Sequence, residues 1–116
     1  MSKRVANLVV ETLQAAGVET CYGIVGDTMN RIAHAIDRSE IDWVHVRHEE
    51  TGAFAAAAEA SLTGRLTACA GTCGPGSLHF INGLYADRRT AGDARQIWGR
   101  RRACEIRDLA KTNFWQ

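Results

Sequence analysis

Three observations predict an α/β fold, a parallel sheet flanked by helices. Short apolar, strand-like runs alternate with stretches whose apolar residues recur every three or four positions. The segments joining successive strands are long enough to cross back over a sheet, as parallel pairing requires. Glycines at 17 and 64 stand where helical stretches should stop.

Taken in order, Val5, Leu8, Val9 and Leu13 share one helical face, and Gly17 ends that helix. TCYGIV, 20 to 25, reads as a strand broken by Gly26-Asp27-Thr28. Asp27 or Thr28 can cap the next helix, whose apolar stripe is Met29, Ile32, Ala33 and Ile36. WVHVR, 43 to 47, is a second strand, and the alanine-rich segment from about 49 to 63 is a third helix closed by Gly64. LTACA, 66 to 70, supplies a third strand. After GTCGPGS, the run SLHFINGLY begins a fourth helix with Leu78, Ile81 and Tyr85 on one face.

A chain of 116 residues fits one domain with a modest core. Its 46% apolar and 23% charged residues exclude disorder, and no stretch is long and apolar enough to span a bilayer. The amphipathic N-terminus carries no signal-peptide core, so a cytoplasmic location is expected. Cys21, Cys69, Cys73 and Cys104 form no CxxC pair and are expected as reduced thiols. His45 and His48 lie three apart, but no second ligand pair has suitable spacing, so no metal is expected on this chain's own side chains. Charge is uneven: six Lys/Arg against ten Asp/Glu up to Asp87, then eight against three from Arg88 onward.

In α/β sheets, ligands bind in loops leaving the carboxyl ends of the strands. Here those loops are Gly26-Asp27-Thr28, His48-Glu49-Glu50 and Gly71 to Ser77, and they meet on one edge if the strands are neighbours. GTCGPGS has neither the GK[ST] ending of a phosphate loop nor a GxGxxG pattern, so a turn and a binding loop are equally open readings. Cys73 within it lacks an evident base and is read as inert. Glu49 and Glu50 alone read as a solvated first turn, favoured there by the helix dipole. No GxSxG elbow is present for a serine hydrolase.

Three motifs in register change that reading. GIVGDTMNRI (23 to 32), RHEETGAFAAAAEA (47 to 60) and GTCGPGSLHFINGLY (71 to 85) together resemble the N-terminal pyrimidine-binding domain of thiamine-diphosphate-dependent enzymes, closest to pyruvate oxidases and quinone-dependent pyruvate dehydrogenases. The resemblance covers about residues 3 to 85 and implies the thiamine-diphosphate-binding fold, with thiamine diphosphate as cofactor. It implies that Glu49 is catalytic: the matching glutamate hydrogen-bonds N1′ of the aminopyrimidine and so favours the imino tautomer, whose nitrogen takes the proton from thiazolium C2. Burial among Ala and Gly would let Glu49 hold a proton, while the helix dipole pulls its pKa the other way; Glu50, about 100° round the helix, is read as solvated or surface-paired. By the same resemblance Gly26, Asp27, Thr72, Gly74, Pro75, Gly76 and Asn82 bind the cofactor with Glu49. His79 is read as a packing or capping residue.

The resemblance lapses after Tyr85, where the family has an apolar strand introduced by proline and this chain has ADRRTAGDARQIWGRRRA. CEI at 104 and the terminal NFWQ then resemble family segments again. Two readings stay open: residues 86 to about 103 are out of frame between compensating shifts, or residues 86–116 are a natural basic tail. The domain of residues 1–85 is thus expected to be partial, incomplete at its C-terminal side. The GDG motif that holds the diphosphate and Mg²⁺, and the FAD domain of the intact enzyme, do not occur here. Implied partners are a 2-oxo acid substrate in the intact enzyme, a second copy or a diphosphate-binding domain, and no specific nucleic acid. Intact quinone-linked relatives also associate peripherally with membranes. The function implied is a fragment of an enzyme oxidatively decarboxylating pyruvate or a similar 2-oxo acid. The alternatives are an acetolactate-synthase-type decarboxylase fragment, or a non-catalytic module with a nucleic-acid-binding tail.

Overall fold

The computed structural model describes residues 4–90. Expectations for Arg95, Trp98, Arg100, Arg101, Arg102, Cys104, Arg107 and the terminal NFWQ lie outside the described residues. Helix α1 (Val5–Ala15) leads to β1 (Thr20–Gly23), a 3-10 turn (Asp27–Met29) and α2 (Asn30–Asp37). Then follow β2 (Asp42–His45), α3 (Glu49–Thr63), β3 (Ala68–Ala70), α4 (Pro75–His79) and α5 (Ile81–Thr90). The three strands are parallel in the order β2-β1-β3, with Cys21 opposite Trp43 on one side and Ala68 on the other. The expected α/β class is therefore present. No helix among the described residues is long and apolar enough to cross a membrane.

Side chains of β1 alternate between two helical layers, as a strand's period of two dictates. Cys21 faces the layer of α1 and α2, in a core with Val10, Leu13, Val18, Ile36, Ile41, Leu66 and Ala68. Ile36 is 1% exposed there, and burying an isoleucine so completely contributes about 1.5–3 kcal/mol. Thr20 and Tyr22 point to the other layer, where both hydroxyls donate to Glu59 of α3, at 2.9 and 2.8 Å. Helix α3 buries Gly52, Ala53, Ala56 and Ala60 along one face. A Cβ at Gly52 would stand only 3.2 Å from Val46 Cγ2, so a glycine lets this helix lie close to the sheet.

The helix ends follow the glycines. Gly17 takes φ +83, its N–H donating to the Gln14 carbonyl while Val18 donates to Leu13, a Schellman ending. Gly64 closes α3 at φ +68, donating to Ala60.

Three local expectations are corrected. The inward face of α1 is Val10 and Leu13, with Val9 partly buried, whereas Val5 and Leu8 are exposed; the pattern of apolar residues was wide enough to offer two faces. Neither Asp27 nor Thr28 caps α2 with its side chain: Gly26 precedes a 3-10 turn, and the Thr28 hydroxyl accepts from Cys73 N–H at 3.2 Å. The single fourth helix is two, α4 and α5, divided at Phe80. Leu78, Ile81 and Tyr85 all face outward, and the buried positions are Gly76, Phe80 and Gly83. Close contact with α3 selects glycine at 83, so Leu78, Ile81 and Tyr85 lie outward while Phe80 packs inward.

Candidate functional site

Parallel pairing with β1 in the centre sends all three strand-end loops to the same edge. The Thr28–Cys73 hydrogen bond joins the first loop to the third, and Glu49 joins the second to the third. Helix α3 starts at Glu49, with His48 as its extended N-cap. The His48 Nδ1 accepts from Glu50 N–H at 3.3 Å, an imidazole in the place usually held by Ser, Thr, Asp or Asn.

Glu49 is the buried charge of this edge, 8% exposed. Its carboxylate is walled by glycines. A Cβ at Gly71 would stand 3.0 Å from Glu49 Cγ and 2.9 Å from the Phe80 ring. One at Gly76 would stand 3.0 Å from Glu49 Oε1 and 2.6 Å from Thr72 Oγ1. A Cβ at Gly26 would overlap the Thr72 methyl. A side chain at Gly71 or Gly76 would run into Glu49, and one at Gly26 into Thr72, so these glycines let the loop backbone pack directly against the carboxylate and its neighbours. Gly74, at φ +77, turns the chain into α4, and Ser77 Oγ donates back to the Thr72 carbonyl at 3.0 Å.

The structure thus brings Gly26, Thr72, Gly76 and Glu49 together. Asp27, Pro75 and Asn82 are exposed, and among the described residues no hydrogen bond ties them to Glu49. Glu50 is half-buried rather than fully solvated.

Glu49 has a partner that sequence reasoning missed. His79, thirty positions on and at the end of α4, donates Nδ1–H to Glu49 Oε2 at 3.0 Å. Its ring stacks on His48, with centroids 4.7 Å apart and planes 21° from parallel. The packing-or-capping expectation for His79 is therefore replaced by a direct contact with the carboxylate. Only the break between α4 and α5 turns His79 toward Glu49, and no periodic pattern announces that break. The His79 hydrogen bond is the largest influence on Glu49 and lowers its pKa; burial opposes, and Glu49's own N–H and the two imidazoles add to the lowering. The contest between desolvation and stabilisation of the anion thus resolves downward, and His79 contributes most.

The trio His48, Glu49 and His79 also places three potential metal-ligand atoms within 4.8 Å of one another. His45, the partner considered from sequence, is exposed on β2 and outside this group. Cys21, Cys69 and Cys73 form no disulfide; burial, with Cys69 nearby, pushes Cys21 up to about 12.

A buried carboxylate at the carboxyl ends of parallel strands can exchange or share a proton with a group brought against it. Comparison with known proteins identifies the family. Residues 3–91 match the family described as "Thiamine pyrophosphate enzyme, N-terminal TPP binding domain". An uncharacterized 42.6 kDa protein in the isoamylase 3′ region of Pseudomonas amyloderamosa is 58% identical over 88 residues, 75% of this chain and 22% of that protein. The pyruvate oxidase of Lactiplantibacillus plantarum is 49% identical over 82 residues, 69% of this chain and 14% of that enzyme. The catabolic acetolactate synthase of Raoultella terrigena is 36% identical over 88 residues, 76% of this chain and 16% of that enzyme. The chain therefore spans less than a quarter of the length of these relatives.

Proposed function

The chain belongs to the family of the N-terminal TPP binding domain of thiamine pyrophosphate enzymes, and we propose that Glu49 is the acid that shares a proton with the pyrimidine ring of this cofactor. The residues present suit the cofactor of the family, thiamine diphosphate, since Glu49 offers a buried carboxylate to a ring nitrogen and Gly71 and Gly76 bring only backbone beside it. When bound, it supplies a thiazolium that stabilises the carbanion left by decarboxylation of a 2-oxo acid.

The residues of this chain have separate tasks in this reading. Glu49 holds or releases a proton at its carboxylate, where water is largely excluded. Gly26, Thr72, Gly74 and Gly76 shape the wall, and Asp27, Pro75 and Asn82 form the rim. His79 holds Glu49 Oε2 and leaves Oε1 facing Gly76. The single observation that carries the proposal is a carboxylate 8% exposed against that glycine wall.

Within the family, we favour an enzyme that oxidatively decarboxylates pyruvate or a similar 2-oxo acid, supported by the 49% identity to a pyruvate oxidase. An acetolactate-synthase-type reaction is the second reading, supported by the 36% identity to a catabolic acetolactate synthase. Either activity would also require a domain that holds the diphosphate and Mg²⁺, and the oxidase type a flavin site; pairing with such a domain or a second copy completes the proposal.

The test uses a complete homologous enzyme carrying this segment. Glu49→Gln should lower activity by about 10²- to 10⁴-fold, the usual worth of a general acid–base group. Glu50→Gln should keep most of it. Equal losses in the two variants would reject the assignment.

A further inference from the structure

We propose that His48, Glu49 and His79 form a binding site for a divalent transition-metal ion of the zinc type. The inference concerns the chain by itself and does not depend on the role of Glu49 toward thiamine diphosphate. Three ligand atoms, one from each residue, lie within 4.8 Å of one another. Two imidazoles with one carboxylate is a ligand set that takes Zn²⁺ with a further position left for water. Mg²⁺ and Ca²⁺ prefer oxygen donors and are not expected to compete.

One separation already suits a shared ion. His79 Nδ1 and Glu49 Oε2 are 3.0 Å apart; with metal–ligand bonds of about 2.0–2.1 Å, that spacing subtends about 95° at the metal. Both imidazoles are exposed while the carboxylate is buried, so an ion can enter from solvent and meet an anion already stripped of most of its water.

Closing on the ion asks for a small rearrangement. The His48 and His79 rings are stacked 21° from parallel, so their in-plane lone pairs must tilt toward one point. His79 exchanges its proton for the metal. His48 is held by a 3.3 Å bond from Glu50 N–H and by its stack on His79, and both give way in part as its ring turns.

The experiment is a Zn²⁺ titration of the full 116-residue chain in competition with a chromophoric chelator, with folding of each variant checked by circular dichroism. One saturable Zn²⁺ per chain is expected. His79→Ala and His48→Asn should each weaken binding tenfold or more; the asparagine retains an N-cap acceptor for α3 while removing the imidazole. A His34→Ala/His45→Ala variant, which removes the other two histidines of the chain, should bind within twofold of the unmodified protein. Excess Mg²⁺ should not displace Zn²⁺. Absence of saturable binding, or equal loss in the His34/His45 variant, or displacement by Mg²⁺, would each overturn the proposal. Because thiamine diphosphate is absent from this measurement, its failure would leave the pyrimidine-site reading standing, and the Glu49/Glu50 comparison tests that reading separately.

Discussion

Gly83→Ala sets two known effects against each other at the crossing of α5 with α3. The added methyl would stand 2.5 Å from Ala53 Cβ, 3.2 Å from Phe54 N and 3.3 Å from the Ala53 carbonyl carbon. Ordinary carbon contacts are about 3.5–4.0 Å, so the two helices must part by about 1 Å. In a helix interior, alanine is better than glycine by about 1 kcal/mol. Overpacking costs about 1–3 kcal/mol. Two of the three close neighbours are backbone atoms that no rotamer change can move, which places the cost in the upper half of that range. The net expectation is a loss of about 1–2 kcal/mol, read as a lower urea midpoint with unchanged m-value. Ala53→Gly removes the nearest methyl, and in a double-mutant cycle it should recover about 1 kcal/mol of the Gly83→Ala loss. A Gly83→Ala protein more stable than the unmodified chain, or a cycle additive within about 0.5 kcal/mol, would refute the close-contact argument.

Two further outcomes follow from the structure. The Glu59 hydrogen bond, then burial, then the Glu59 charge raise the Tyr22 pKa, so in an alkaline ultraviolet titration this phenol should ionise later than in Glu59→Gln. Folding then favours protonated Tyr22, a contribution present below a phenol's ordinary value of about 10 and lost as pH rises through the folded-state pKa. The stability advantage over Tyr22→Phe should therefore shrink above about pH 10, and a pH-independent difference would contradict the linkage. The purified 116-residue chain, given thiamine diphosphate, Mg²⁺ and pyruvate, should release no measurable carbon dioxide, because the pyrimidine side proposed at Glu49 must hold a flexible cofactor by one end; thiamine-dependent turnover would disprove it.

Parallel pairing was legible because strand-like runs alternate with helices and the crossovers are long enough to return, whereas the placing of β1 between β2 and β3 was not. Convergence of the three loops came with that placing. The inward face of α2 was legible at Ile36, whereas α1, apolar on two sides, was read with Val5 and Leu8 inward although Val10 is buried. Faces were also misread where glycine does the packing, as at Gly83, because a hydrophobicity pattern has no signal for a residue chosen for its absence of side chain. Glu49 shows the limit for the site. Local physics treats adjacent glutamates at a helix start alike, and only three motifs in register separated Glu49 from Glu50; the burial of Glu49 arises from Gly71, Gly76 and Phe80, which are distant in sequence. His79 reaches Glu49 through the break at Phe80, a tertiary event that no spacing encodes.

The double grip of Glu59 on Thr20 and Tyr22 acts as a pivot for α3. Glu49 lies ten residues away, a lever arm of about 15 Å at 1.5 Å per residue. A tilt of only about 2° about that pivot would swing the carboxylate by about 0.5 Å, which is the placement error that a catalytic group can tolerate. In the proposed role of Glu49 the alignment of α3 must be held within about 2°, and the small residues along its length, Gly52 and Ala53 foremost, act as the stops that hold it.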